Sequence, residues 1–484
     1  SVFSSTALEK VVLSDKMETL GSSTFNNLKT LKIVTYDSYT VKDATRFNDG
    51  YENALPPSLT SLPSSLFSGC TSLKSMDLSN VKTVAGSLFK GCSALESVVL
   101  STDLEVLGDY MFQNCTSLSS IEIPSSVTSL GKYAFDGCTK LTSIDLPETL
   151  TFMGTYTFRK TGLTSIVIPS GVKSFGTSAT ECAASSNVYL FAECKSLTTV
   201  VLPANINDFK IGGYVFNNCT KLTTIKVGAD GEENVLDGVT LVAQYAFSGC
   251  GITELSLPDV TEVGKYSFSK GDLQSISLPA LTKHAEYVFS DSKKLTSVTL
   301  NDELESLAKY MFNGCTALEQ ITLPSSLVFL NTYTFKGSGL KEIVIPEGVK
   351  HIGSSQNGAA NVSTPINTFE NCASLVKVTL PAGLETIGRE VFKNCSNLTI
   401  VTYTGGAEYA LPASTRLVGN YAFQGCKSLT ALEMKGVETL GINVFDGCSS
   451  LTSVDLSSLS TMGENVFEDC GKLLSVVLNK YLSV

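Results

Sequence analysis

Nineteen phenylalanines recur along the chain at a step that is most often 21–23 residues, and no other feature constrains the fold as tightly. They are Phe3, Phe25, Phe67, Phe89, Phe112, Phe135, Phe158, Phe191, Phe216, Phe247, Phe268, Phe289, Phe312, Phe335, Phe369, Phe392, Phe423, Phe445 and Phe467. Self-similarity at so short a fixed period is the mark of a stacked-repeat architecture. Five or six residues after each Phe comes Leu or Ile, opening the pattern L-x-x-I-x-L, as in "LTSIDLP" at 141–147 and "LTSVTL" at 295–300. Proline often follows at once (Pro124, Pro147, Pro169, Pro203, Pro258, Pro279, Pro324, Pro346, Pro381). Proline has no N–H to give a ladder, so it ends a strand. A turn, an apolar pair such as that in "VTSLG" at 127–131, and the next aromatic complete the unit.

A unit this short cannot close a core alone, whereas stacked units bury one continuous core. The pattern therefore predicts a short strand from each L-x-x-I-x-L in a parallel sheet, with neighbours ~4.8 Å apart. Ile and Leu point inward, the residue between them points out, and Phe fills the far side. A longer period overlies the short one. "TYTFRKTGLTSIVIPSGVKSFG" (155–176) and "TYTFKGSGLKEIVIPEGVKHIG" (332–353) are near copies, and "IVTY" at 33–36 and 400–403 opens a long insertion in both places. We expect a block of seven repeats, about 177 residues long, present in about 2.7 copies, with 1–484 forming a single solenoid domain without linkers.

The stretches "AFDGCTKLTSIDLP" and "LTSIDLPETLTFMGTYTF" resemble the BspA-like class of leucine-rich repeats, whose unit reads roughly L-x-x-I-x-L-P-x-x-V-x-x-I-G-x-x-A-F-x-x-C. The resemblance spans essentially the whole chain. It implies a right-handed leucine-rich-repeat superhelix, an α/β-type or mostly-β solenoid with one long parallel β-sheet, of about 19–20 repeats of 21–23 residues. It also implies a secreted or cell-surface protein of bacterial type. Its expected role is adhesion to, or recognition of, host or microbial surface proteins, matrix proteins or glycans. The family supplies no catalytic motif, so no enzymatic activity and no cofactor are expected. The chain departs from the pattern at the cysteine position in six repeats (Thr6, Leu28, Thr161, Gly271, Ser292, Ser338) and carries long insertions.

Composition narrows the partners. A net charge of −11 and a pI near 4.9 argue against a nucleic-acid partner, which needs a basic face. With 43% hydrophobic and 17% charged residues the chain is no disordered tail. No run approaches the ~18 consecutive apolar residues of a membrane span. The chain starts at Ser1 with no leader, and we read it as a mature or truncated form whose targeting signal or anchor lies outside it.

Each candidate for chemistry has a plainer reading beside it. Thirteen cysteines (Cys70, Cys92, Cys115, Cys138, Cys194, Cys219, Cys250, Cys315, Cys372, Cys395, Cys426, Cys448, Cys470) occupy one position of the repeat. Ser, Thr or Gly replaces them elsewhere, Cys315 has no adjacent partner, and no zinc-type clustering occurs. We read them as small buried packing residues. Cys182 lies outside the column, in an insertion, and is the candidate for a disulfide with Cys194 or for a reactive thiol. His284 and His351 lack the partners of a triad or a metalloprotease motif and are read as packing or solvated residues.

Binding is sought on two surfaces. On the sheet face the outward acids are Asp77, Glu122, Asp145, Glu433 and Asp455, among Thr299, Thr322 and Thr379, with Ser97, Ser120, Ser143, Ser165 and Thr199 alongside. Loops on a rigid frame are the other usual place. One insertion type spans 177–190 and 354–367, and the other spans 36–58, 228–240 and 404–415. They contribute Tyr36, Tyr39, Tyr51, Asn361 and Tyr409 as candidate ligand contacts. Asp230, Glu232, Glu233 and Asp237 lack the spacing of a calcium loop and are read as a solvated acidic turn. The alternative to recognition is a structural spacer that presents another domain.

Overall fold

The computed structural model describes residues 2–3, 6–38, 53–178, 181–204, 206–353 and 367–480. By its contacts the chain divides into two units, Ser1–Ile252 and Thr253–Val484.

Within each unit every regular element is a short parallel strand, and no helix occurs among the described residues. In the first unit Thr199–Leu202 pairs with Ser165–Val167 on one side and Thr224–Val227 on the other, with Ile166, Val200 and Ile225 in register. All three of those side chains are buried. In the second unit Lys377–Leu380 sits the same way between Glu342–Val344 and Ile400–Tyr403, aligning Ile343, Val378 and Val401. The predicted alternation holds, because the period of a strand is two and Ile and Leu two apart share a face.

The structure adds a second ladder on another wall of each turn. The apolar pair that follows the proline turn is also extended. In the second unit Phe329–Leu330, His351–Ile352, Thr386–Ile387, Leu417–Val418 and Thr439–Leu440 follow one another in parallel register. The first unit repeats this with Val106–Leu107, Ser129–Leu130 and Phe152–Met153. The expected single sheet is thus two ladders, and the first of them is interrupted rather than continuous.

The recurring Phe rings form a stack, buried at every member but Phe3 and Phe467. Centroid spacings run from 5.3 Å (Phe216–Phe247) to 5.9 Å (Phe3–Phe25) in the first unit and from 5.3 to 5.7 Å in the second. The stack ignores the insertions: Phe158 and Phe191 are 33 residues apart in sequence yet 5.6 Å apart in space. An insertion can loop out while the frame on either side keeps its register.

A second aromatic column escaped the sequence reading. Tyr110, Tyr133, Tyr156, Tyr189, Tyr214 and Tyr245 stack at 4.2–4.8 Å in the first unit. Tyr266, Tyr287, Tyr310 and Tyr333 stack at 4.4–4.5 Å in the second. Every one has a positive φ, between 55° and 64°. The left-handed conformation costs a side-chain-bearing residue about 1–2 kcal/mol. Each stacked pair returns about 0.5–1.5 kcal/mol, so an interior tyrosine with two neighbours roughly offsets its strain.

Candidate functional site

The thirteen column cysteines share one hydrogen bond. Each thiol donates to the carbonyl of the column Phe one turn earlier: Cys92 to Phe67 at 3.0 Å, Cys115 to Phe89 at 3.1 Å, Cys395 to Phe369 at 3.1 Å. Ser292, which stands in for cysteine, donates its hydroxyl to Phe268 at 2.7 Å. Ser292 thus keeps the small side chain and the donor, whereas Leu28 and Gly271 fill the position without a donor.

Burial pushes these thiols up, Cys70 to about 12 and Cys194 and Cys372 to about 11. All fourteen cysteines are free, so Cys182 and Cys194 are not joined. The Cys182 thiol is half-buried, directed at the Phe175 carbonyl at 3.6 Å, and raised to about 11 by burial. A reactive thiol needs the opposite shift.

The histidines are taken up by packing between turns. His284 Nε2 bonds the Ser306 carbonyl at 2.9 Å, and burial lowers its pKa. His351 Nδ1 meets Thr386 Oγ1 at 3.0 Å. Among the described residues no group of three or more His, Cys, Asp or Glu is placed to hold a metal ion. Of the acidic turn, Glu233 pairs with Lys226 at 3.2 Å.

The insertions do something the sequence did not disclose: they lay a residue against the sheet. Asn53 is fully buried; its Oδ1 accepts from the Val34 amide at 2.8 Å and its Nδ2 donates to the Lys32 and Ser75 carbonyls. Asn234 bonds in the same way, accepting from the Ile225 amide at 2.8 Å and donating to the Thr223 carbonyl. In the third insertion Tyr409 takes this place, its carbonyl accepting from the Glu433 amide at 2.7 Å. Ala410 then forms a parallel bridge with Glu433.

Of the residues proposed from sequence, Tyr39, Tyr51 and Asn361 lie outside the described residues. Tyr36 ends the strand Ile33–Tyr36 and is buried, which removes it as a surface contact. Tyr409, Glu433 and Asp455 are brought together: Glu433 bridges to Ala410 on one side and aligns with Asp455 on the other. Glu433 is exposed and pairs with Lys435 at 2.9 Å, while Asp455 Oδ1 accepts from the Ser457 amide at 3.0 Å. In the first unit Asp77 makes the matching turn with the Ser79 amide at 2.8 Å, and Glu122 and Asp145 stand exposed further along the same column.

The family comparison agrees with this architecture. A family model described as the BspA type leucine rich repeat region matches in six copies, over residues 1–115, 60–185, 184–233, 240–358 and 362–484. A search of curated proteins finds no match. Among solved structures, the chain is similar to a leucine-rich repeat protein from Bacteroides ovatus at 22% identity, over 91% of each chain, with a TM-score of 0.39. It is similar to a leucine rich cell surface protein from Faecalibacterium prausnitzii at 20% identity, over 82% of this chain and 84% of that one, with a TM-score of 0.37. The pneumococcal vaccine antigen PcpA aligns at 16% identity, over 98% and 89% of the two chains, with a TM-score of 0.34.

Proposed function

This chain belongs to the BspA-type leucine-rich repeat family, and on that premise we propose that it is a non-catalytic adhesion or recognition module, working outside the cell or at its surface, for protein or glycan partners. The observation that carries the reading is a contrast within each repeat. From Met76 to Ile225 in the first unit the inward position holds Met76, Val98, Ile121, Ile144, Ile166, Val200 and Ile225, all buried. The adjacent outward position runs through Asp77, Val99, Glu122, Asp145, Val167, Val201 and Lys226. A uniform interior under a chemically varied, preformed exterior is what recognition without reorganisation requires. No helix among the described residues is long and apolar enough to cross a membrane.

The test is direct binding of the purified chain to immobilised matrix proteins and mucins by surface plasmon resonance. Saturable binding that weakens in a Glu433→Ala/Asp455→Ala variant supports the recognition reading at this cluster. Absence of binding to any surface protein or glycan leaves the spacer reading.

A further inference from the structure

The first ladder breaks in both copies of the duplicated block; in the first copy the break already takes in 118–123, whose counterpart 295–300 holds the strand Ser297–Leu300 in the second. Residues 141–146 and 318–323, which are 177 positions apart, read L-x-x-I-x-L yet belong to no strand. Beyond single contacts from the next turn (Thr164 amide to Thr142 carbonyl, 3.1 Å; Lys341 amide to Glu319 carbonyl, 2.8 Å), they make no backbone–backbone hydrogen bond to the turn that follows. Each break precedes a shortened turn. Phe to Leu takes six residues in Phe135–Leu141 and Phe312–Leu318, but five in Phe158–Leu163 and Phe335–Leu340.

In the second unit this opening forms a groove of about 1030 Å³ across three turns, floored by Thr299, Thr322 and Val344. Val344 is 61% exposed, and its counterpart Val167 is 62% exposed. Both copies thus keep an apolar side chain on the outward face at this point.

The charge pattern names the partner. The groove lining contains three carboxylates, Asp302, Glu342 and Glu347, and no lysine, arginine or histidine. Shifted by 177 positions, these three become Ser125, Ser165 and Ser170. Yet the first copy also presents three carboxylates and no cation, because Glu122, Asp145 and Glu148 stand where the second has Thr299, Thr322 and Ser325. None of the six forms an ion pair among the described residues. The two copies thus share no acidic position here and still reach the same charge, so what both retain is the sign of the field and the valine. The lining holds no aromatic ring for stacking a sugar, and its charge repels acidic glycans.

We infer that this opened stretch of the sheet face, in each copy of the block, docks an extended cationic polypeptide segment that sets Lys or Arg against the carboxylates and a small apolar side chain against Val344 or Val167. The inference rests on the recognition reading and names the class of partner for it. The unpaired amides and carbonyls of 320–323 and 143–146 add backbone donors and acceptors at the rim.

The experiment uses the full chain and a fluorescein-labelled Lys-Val-Lys-Val-Lys-Val peptide, read by anisotropy at low and at physiological salt. We expect two sites per chain. Replacing Asp302→Asn/Glu342→Gln/Glu347→Gln, or Glu122→Gln/Asp145→Asn/Glu148→Gln, should each remove one site, with thermal unfolding unchanged. Val344→Ser should weaken its site severalfold. A control triple, Glu408→Gln/Glu464→Gln/Glu468→Gln, should change nothing. Equal loss in the control triple would reduce the effect to general attraction by a net charge of −11, and equal binding of a Glu-Val-Glu-Val-Glu-Val peptide would likewise overturn the inference. Should the basic peptide fail while mucin or matrix proteins still bind, this inference falls and the recognition reading stands.

Discussion

At the scale of single residues, the cysteine column shows how one hydrogen bond repeated along a stack selects a side chain. The column Phe carbonyl already accepts from the backbone amide of the residue three positions on, and the thiol of the next turn uses its second lone pair. Cys395→Ser keeps a donor there, as Ser292 does, whereas Cys395→Ala removes both donor and volume. The alanine variant should lose about 1–3 kcal/mol in urea unfolding and the serine variant distinctly less. The thiols also fix a pH dependence. Their folded pKa lies above the ordinary value of 9, at about 12 for Cys70 and about 11 for Cys194 and Cys372. That contribution to stability is complete below pH 9, where both states keep the proton, and is lost as pH rises toward 11–12. The urea midpoint should fall across that alkaline window. A midpoint that rises there contradicts the buried column. The packing role of these cysteines was legible in the sequence from their replacement by Ser and Thr. The acceptor was not, because a carbonyl's spare lone pair leaves no trace in a repeat pattern. The tyrosine column did leave one, in "GDYMF", "GKYAF" and "GTYTF", but its left-handed backbone runs against what a bulky residue ordinarily adopts.

At the scale of elements, strands followed from the period-two pattern in most turns but not at 118–123, 141–146 and 318–323. Residues 141–146 and 318–323 carry the same pattern and do not pair, since pairing belongs to two turns together and neither sequence alone encodes it. Native-state hydrogen exchange should separate the two classes. Amides of Ile144, Asp145, Ile321 and Thr322 should exchange orders of magnitude faster than those of Val200 and Val378, which sit inside three-stranded ladders. Equal protection would close the break. The insertions teach the converse. Read as free loops, they in fact return one residue to the sheet, Asn53 or Asn234, whose side-chain amide replaces a strand's own donors and acceptors. Asn53→Ala leaves buried backbone groups unsatisfied and should cost about 1–3 kcal/mol by chemical unfolding.

At the scale of the whole molecule, the frame and the surface divide the work. Phe stacks, cysteine bonds and inward aliphatics recur almost unchanged through each unit, and that recurrence made the fold readable from sequence. The site was less readable for the same reason, since a residue that varies from turn to turn carries no period. Asp77, Glu433 and Asp455 were found because they interrupt a run of Ser, Thr and Val, while Val167 and Val344 looked like ordinary strand residues until their exposure was known. The claim that function resides on the outward column is tested most directly by scanning it against its inward neighbours, with binding to a captured surface protein or mucin and melting temperature measured on every variant. Alanine at Glu122, Asp145, Glu433 and Asp455 should reduce binding with little change in melting temperature, while alanine at Ile121, Ile144, Leu432 and Val454 should lower the melting temperature by several degrees, in keeping with a cost of about 2–5 kcal/mol for each aliphatic truncation. If the outward variants bind as the parent chain does, the account of the outward column as the recognition surface is contradicted.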